Sequence, residues 1–160
     1  MTTDFDRPEI PAHGIVATLE DSDRRLLSDY GEFLPVQPGQ LLIEEGKPQD
    51  SLYFVISGLL HVTTHVEDKT HLVARIEAGE SLGEINVFDP AVASASVVAR
   101  SFSQVWRANR ADIDAFVAAY PQAGNRLLHG LLAGLSRRIR NMNDKLGTAE
   151  LESALRSFWQ

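Results

Sequence analysis

Short apolar runs separated by turn residues are the feature that most limits what this chain can fold into. They recur from about Gln40 to Arg107, with turn sequences such as Gly-Lys-Pro at 46–48 and Glu-Asp-Lys at 67–69 between them. The runs cover residues 41–43, 52–56, 60–63, 71–76 and 96–99. Short strands at such regular spacing are typical of an antiparallel sandwich or barrel.

Helical periodicity flanks this strand region. A short helix is predicted from Thr18 to Phe33. Asn109 and Asp112 stand in a capping arrangement at the start of another helix, and Pro121 is predicted to separate that helix from the next one.

The longest helix is predicted from about Gln122 to Leu146. Large apolar residues recur along it at alternating spacings of four and three, which is the pattern of a heptad seam. Leu127 and Leu131 form a second apolar face on the same helix. Gly147 and Thr148 are predicted to end this helix and begin a last short one. The seam consists of Leu128, Leu132, Leu135, Ile139, Met142 and Leu146.

Length and composition indicate one folded domain with extensions. The chain has 160 residues, of which 44% are hydrophobic, and no cysteine, so disulfides and thiolate metal sites are excluded. No run approaches the roughly 18 apolar residues that a membrane span needs, so we expect no membrane insertion and a cytoplasmic protein. The expected division is a disordered lead-in (1–17), a barrel with flanking helices (18–121), and a dimerisation helix with a short terminal helix (122–160).

Residues 80–88 read Glu-Ser-Leu-Gly-Glu-Ile-Asn-Val-Phe, and Ala-Ser-Ala follows at 93–95. This arrangement resembles the phosphate-binding cassette of the cyclic-nucleotide-binding domains, and residues 39–46, 50–58 and 113–121 resemble other parts of that family. The resemblance implies an α+β fold: an antiparallel β-barrel or jelly roll, related to the double-stranded β-helix of cupins, with an N-terminal helix and C-terminal helices. Its long helix is similar to the dimerising helix of catabolite-activator-type regulators.

The same resemblance implies a ligand site. Glu84 would accept a hydrogen bond from a ribose 2′-hydroxyl, the amides of the cassette helix would face a cyclic phosphate, and Asn143 would lie near the base. An alternative is that Gly83 simply ends a strand while Glu84 is a carboxylate of the first helical turn. The candidate ligand-binding residues are Leu82, Gly83, Glu84, Ile85, Asn86, Ala93, Ser94, Ala95 and Asn143.

Ala93 stands where the family has the arginine that pairs with the cyclic phosphate. Loss of one charge-assisted hydrogen bond costs roughly 1.5–3 kcal/mol, so we expect weak binding of ordinary cAMP and cGMP. Arg75 or Arg100 would be able to replace the missing guanidinium only if the fold brought it to the site, which the sequence leaves open.

The resemblance and the charge also suggest which partners to expect. Residues 148–160 are too few for the helix-turn-helix that follows the long helix in those regulators, and the net charge is −7. We therefore expect no specific DNA binding. The expected partners are a second copy of the chain, through residues 122–146, and another protein.

Histidines in the strand region raise a metal-site alternative. His61, His65, Glu67 and His71 lie in the part of the chain that resembles cupins, but the His-x-His spacing of metal-binding cupins is absent. No catalytic motif is present, so no enzyme activity and no cofactor are expected.

Three functional hypotheses follow. The favoured one is a non-catalytic sensor that recognises a cyclic nucleotide (cAMP, cGMP or a cyclic dinucleotide) or a related anion and signals to a partner. The second is a protein-interaction domain with a vestigial pocket. The third is a metal-dependent, cupin-like enzyme.

Overall fold

The computed structural model describes residues 8–158, in which ten strands lie between a short N-terminal helix and two C-terminal helices. The helices are α1 (Asp21–Ser28), α2 (Glu84–Phe88), α3 (Arg110–Ala119) and α4 (Pro121–Phe158), and a 3-10 turn covers Gly14–Val16. The strands are β1 (Glu32–Val36), β2 (Leu41–Ile43), β3 (Pro48–Gln49), β4 (Ser51–Ser57), β5 (Leu59–Val66), β6 (Lys69–Glu77), β7 (Ser81–Leu82), β8 (Ala91–Val92), β9 (Ser96–Ala99) and β10 (Ser103–Asn109).

The strands form two four-stranded antiparallel sheets and a small two-stranded one. The first sheet has the order β1-β10-β4-β7, the second has the order β2-β9-β5-β6, and β3 pairs with β8. Two facing antiparallel sheets flanked by helices confirm the predicted barrel or jelly-roll architecture.

The side chains on the two faces of β4 belong to two different hydrophobic cores. Tyr53 and Val55 point between the sheets, whereas Leu52 and Phe54 point towards the helices, so this strand is buried on both faces. The core between the sheets contains Val36, Ile43, Tyr53, Val55, Leu60, Ile76, Leu82, Ala93, Val97, Ala99 and Val105. The second core joins the first sheet to the N-terminal segment and helices, and its largest buried side chains include Phe54, Trp106, Phe116, Ile113, Leu127 and Leu131.

The predicted turn at 67–69 is confirmed as a hairpin between β5 and β6. Val66 pairs with Lys69, and the two residues between them, Glu67 and Asp68, have φ of 50° and 60°. Two consecutive residues in the left-handed region are the signature of a type I′ turn, whose twist matches that of the strands.

The predicted capping arrangement of α3 is also confirmed. The Asn109 side chain accepts a hydrogen bond from the Asp112 amide at 2.9 Å, and the Asp112 carboxylate accepts one from the Asn109 amide at 2.9 Å. Pro121 begins α4 directly after Tyr120, which ends α3, as the sequence predicted.

The predicted helix from Thr18 to Phe33 is wrong at its C-terminal end. The helix stops at Ser28, and Phe33 instead pairs with Trp106 in β1. The turn between them depends on Gly31, because a Cβ at that position would lie 2.3 Å from the Arg107 carbonyl oxygen and 2.6 Å from the Trp106 ring. This close approach takes the chain out of the helix and onto the edge of the sheet.

The lead-in predicted over residues 1–17 is corrected for its described part, residues 8–17. Ile10, Ile15 and Val16 are buried in the helical core, so this segment is packed. The 3-10 turn lies directly against α4 at Gly130, where a Cβ would be 2.0 Å from the Ile15 carbonyl oxygen. Residues 1–7 of the predicted lead-in lie outside the described part of the chain.

The predicted break at Gly147 and the separate terminal helix are also wrong. The helix α4 runs for 38 residues through Gly147, and the Thr148 hydroxyl donates to the Asp144 carbonyl inside the helix instead of capping a new one. A glycine inside an exposed helix costs only about 1 kcal/mol, which the helical sequence on both sides tolerates. Despite its length, neither α4 nor any other described helix combines the length and apolarity required to span a bilayer.

Candidate functional site

The cassette is formed where β7 ends and α2 begins. Leu82 pairs with Tyr53 of β4, and Gly83 then takes a left-handed conformation with φ of +83°. A Cβ on Gly83 would lie 2.2 Å from the Ser51 carbonyl oxygen, so a glycine is required both by its φ and by space. The turn places Glu84 as the first residue of α2.

Glu84 is a buried carboxylate with two partners. Its side chain is only 3% exposed. The Ser81 hydroxyl donates to Oε1 at 2.5 Å, and Nη1 of Arg138 donates to Oε2 at 2.8 Å. The other terminal nitrogen of Arg138 donates to the Ser81 carbonyl oxygen. Arg138 therefore joins the cassette to α4 through an ion pair and a hydrogen bond to the backbone.

Sequence reasoning missed Ser81 and Arg138, although a signal for Arg138 exists. The second apolar face of α4 begins with Leu127 and Leu131, and the same spacing of four and three continues through Gly134 to Arg138. Arg138 is the next position of this stripe, and although its side chain is 44% exposed, its guanidinium reaches the buried carboxylate of Glu84.

Ala93, which the sequence resemblance places at the position of the family's arginine, lies within the core between the sheets and is 5% exposed. Its amide donates to the Lys47 carbonyl and its carbonyl accepts from the Gly46 amide, both at 2.8 Å. Ser94 is exposed and Ala95 is half-buried. The backbone of this segment is thus fixed, and its side chain contributes a methyl group in place of a charge.

The other candidate residues are spread more widely. Ile85 is exposed on α2, and the Asn86 side chain donates to the Ala91 carbonyl at 3.2 Å, which ties α2 to β8. Asn143 is exposed on α4, five residues beyond Arg138, and makes no side-chain hydrogen bond within residues 8–158. Residues 82–86 thus lie at the junction of β7 and α2, and no hydrogen bond joins Asn143 to them within residues 8–158.

Arg75 and Arg100 do not replace the missing guanidinium. Arg75 is exposed and precedes Ile76, whose side chain is buried between the sheets, so alternation turns Arg75 to the outside. Arg100 is exposed and follows Ala99, which is buried in the same core. Both arginines lie on the opposite side of the second sheet from Ala93.

The histidine alternative gains no geometric support. His61 pairs with Arg75 across β5 and β6, and the His65 ring contacts the Thr70 hydroxyl at 3.2 Å. Within residues 8–158, no group of three or more histidine, aspartate and glutamate side chains is arranged to hold a metal ion.

Tyr53 lies in the core between the sheets, where it pairs with Leu82 of β7 and carries a phenol hydroxyl. Burial raises the pKa of its hydroxyl above the ordinary value, although the hydrogen bond and charge of Arg107 act in the opposite direction. The phenol therefore remains protonated at neutral pH and able to donate a hydrogen bond.

The ion pair between Glu84 and Arg138 gives a stability prediction. We expect Arg138→Met to lower the free energy of unfolding by about 1–3 kcal/mol, because it leaves a buried carboxylate without its charged partner. Urea unfolding would measure the change. The neighbouring Arg137→Met is the matched control and should have little effect. Adding Glu84→Gln to Arg138→Met should restore part of the loss, and additive effects would contradict the coupling.

The fold and the cassette define a class of protein, and comparison with known families agrees. The family model described as "Cyclic nucleotide-binding domain" matches residues 33–120. That match covers more than half of the chain, so the chain belongs to the cyclic nucleotide-binding domain family.

Individual relatives add detail. The chain is 25% identical over 136 residues to a CRP-like cAMP-activated global transcriptional regulator of Mycobacterium tuberculosis; the match covers 84% of this chain and 61% of that protein. The chain therefore spans less than two thirds of the length of this curated relative. A cyclic nucleotide-binding domain from Methylobacillus flagellatus superposes with a TM-score of 0.76, at 26% identity, over 82% of this chain and 74% of that one. The catabolite activator protein of Thermus thermophilus gives a TM-score of 0.75 at 26% identity, over 85% and 62% of the two chains.

Proposed function

We propose that this protein is a non-catalytic sensor domain that binds a cyclic nucleotide or a related anionic ligand and passes its occupancy to a protein partner. The observation that carries the proposal is the cassette itself, in which Gly83 and the buried Glu84 are held in a fixed geometry. A carboxylate that keeps two hydrogen-bonded partners still has lone pairs for a ribose hydroxyl. Ala93 makes this site weak for ordinary cAMP and cGMP.

Signal transmission would run through Arg138. The Glu84 carboxylate is paired with Arg138, which lies on α4. A ligand hydroxyl that donates a hydrogen bond to this carboxylate would change its interaction with Arg138. Ligand binding at the cassette thereby acts on the packing of the long helix. If α4 has two packing arrangements, the ligand shifts the equilibrium between them only by as much as its affinity for the two arrangements differs.

Calorimetry tests the binding function. We expect wild-type protein to bind cAMP or cGMP with a Kd in the high micromolar range or weaker, and Glu84→Gln to weaken it further because a neutral amide accepts hydrogen bonds less well than a carboxylate. The control is Glu150→Gln, which makes the same chemical change at an exposed position of α4. Absence of binding to either nucleotide and to cyclic dinucleotides would contradict the sensor function.

One observation favours the second candidate, a protein-interaction domain with a vestigial pocket. Ala93 lies in a continuous apolar core with Ile43 and Val97, which disfavours a charged group in that space. The calorimetric experiment separates the two functions, because only the sensor has measurable affinity for a cyclic nucleotide.

A homodimer through α4 is part of the proposal. Leu132, Ile139, Met142 and Leu146 are each more than half exposed, although they form a regular apolar seam. A helix that exposes one apolar stripe while burying another against its own domain needs a second surface for the first stripe. Parallel packing of two such helices would bury the seam.

We expect Ile139→Asp to convert the dimer into a monomer, since a carboxylate in the centre of the seam would be desolvated. Sedimentation or light scattering at micromolar concentration would measure the mass. Arg137→Asp is the control, because it lies two residues away on the opposite side of the same helix. A monomeric wild-type protein would refute the dimer.

A further inference from the structure

The outer face of the second sheet carries a cluster of basic side chains. His61 and Arg75 are direct partners across β5 and β6. The Arg100 amide donates to the Leu59 carbonyl at 2.9 Å, which places Arg100 diagonally beside His61. The neighbours of these residues along the chain, Leu60, Ile76 and Ala99, are buried between the sheets, so the three basic side chains share the outer face. We call His61, Arg75 and Arg100 the basic patch.

The two arginines of this patch differ from the other arginines that precede the distal part of α4, where Arg137, Arg140 and Arg156 also form no ion pair within the described residues. Within the described chain up to residue 126, every other arginine forms an ion pair with a carboxylate, whereas Arg75 and Arg100 form none. The paired arginines are Arg24, Arg25, Arg107, Arg110 and Arg126. In a chain of 22 acidic and 15 basic residues, this grouping leaves a local excess of positive charge.

The charges in the patch act on one another. Partial burial, and then the charges of Arg100 and Arg75, lower the pKa of the His61 imidazole below its ordinary value. Glu77 lies on the same face at the edge strand β6, opposite Leu59, but makes no ion pair with Arg75. Glu77 offsets part of the charge, and the two arginines still outnumber the one carboxylate on this part of the face.

Apolar side chains lie beside the patch. Leu41 pairs with Val98, and Val98 pairs with His61, so a row of side chains runs from apolar to basic across the sheet. Leu41 is 48% exposed, and Leu72 on β6 is equally exposed. A binding partner that fits this row presents carboxylates and large apolar side chains together.

We propose that the basic patch and its apolar neighbours dock an acidic, leucine-rich or similarly apolar segment of a partner protein. The partner's carboxylates pair with Arg75 and Arg100, and its apolar side chains cover Leu41 and Val98. Two arginines give too few contacts for a nucleic acid, whose backbone requires many cations, and the chain's net charge of −7 opposes it. The surface lies outside the core that holds Ala93, so docking here does not depend on ligand binding at the cassette.

The probe for this surface is a fluorescently labelled peptide that alternates glutamate and leucine, titrated with the full chain at low ionic strength without nucleotide. We expect binding that weakens by about tenfold when Arg75→Glu and Arg100→Glu are combined, because attraction becomes repulsion. The milder pair Arg75→Gln and Arg100→Gln should give an intermediate loss, and circular dichroism should show both variants folded.

The matched control combines Arg137→Glu and Arg140→Glu, which changes the net charge equally at exposed positions of α4 and should leave binding unchanged. Equal binding of a peptide that alternates glutamine and leucine would overturn the proposal, as would unchanged binding by the patch variants. Inorganic phosphate will also be compared with chloride at equal ionic strength. If phosphate displaces more of the peptide than chloride does, the patch binds a small anion and the protein-docking proposal is overturned. Tighter binding of duplex DNA through the same arginines would likewise overturn the protein-docking proposal.

Discussion

Gly83→Ala should destabilise the domain by about 2–5 kcal/mol, because it combines backbone strain with a collision. Gly83 has φ of +83°, and a Cβ there would lie 2.2 Å from the Ser51 carbonyl oxygen and 2.5 Å from Nε2 of Gln49. These two atoms are hydrogen-bonded to each other at 2.6 Å in a buried position. The new methyl group would therefore have to separate a satisfied buried pair. Urea unfolding followed by circular dichroism would measure the loss.

The chain offers an unusually close control in Gly39, which also has φ of +83° but has no atom within 4 Å of the position that a Cβ would occupy. Gly39→Ala should cost only the left-handed backbone strain, about 1–2 kcal/mol. The difference between the two variants isolates the collision. Equal losses would mean that residues 49–51 move aside without cost, and Gly83 would then be required for its φ alone.

The sequence predicted the strands of the barrel best where the apolar run is long. The runs at 52–56 and 71–76 lie in β4 and β6, and the uninterrupted run at 52–56 fits a strand that is buried on both faces. The strand β1 was not predicted: its first two residues, Glu32 and Phe33, were placed at the end of a helix, and the strand contains Pro35 and buries only Val36 fully. A proline is tolerated there because β1 is the edge strand of its sheet. The two-residue strands are too short for any periodicity.

The candidate site was predicted only where its residues are contiguous. The cassette motif placed Gly83 and Glu84 at the junction of a strand and a helix, as the structure has them. Arg138 lies 54 residues from Glu84, and only the packing of α4 against the barrel brings the two side chains together. The orientation of Arg75 also required the structure, since a sequence shows the alternation of a strand but not which of its faces is buried.

The long helix shows why local stop signals mislead. Gly147 followed by Thr148 matches a helix end and a new start, yet α4 continues through both. A glycine that ends a helix commonly takes the left-handed conformation itself, and Gly147 is not among the glycines with positive φ. Because α4 is continuous, its exposed apolar residues extend to Leu151, Leu155 and Phe158.

Ala93→Arg should raise the affinity for cAMP roughly 10- to 100-fold, the equivalent of one charge-assisted hydrogen bond to the cyclic phosphate. The backbone at this position is already fixed by its hydrogen bonds to residues 46 and 47, and Ala93 lies in the same core as Leu82 of the cassette. Calorimetry on wild type and variant gives the ratio directly. Without ligand, the variant should be less stable than wild type, because Ala93 is 5% exposed within an apolar core.

Ala91→Arg is the control for charge alone, since it adds the same cation two residues away at an exposed position. It should change the affinity much less than Ala93→Arg. Glu84→Ala in the Ala93→Arg background should remove part of the gain by taking away the ribose acceptor. Tight binding by wild type would show that another cation already meets the phosphate, and Arg138 would be the first to substitute, because Arg75 and Arg100 face outwards. No binding even by Ala93→Arg would mean that the apolar core closes the pocket, and the protein-interaction function would then be favoured over the sensor.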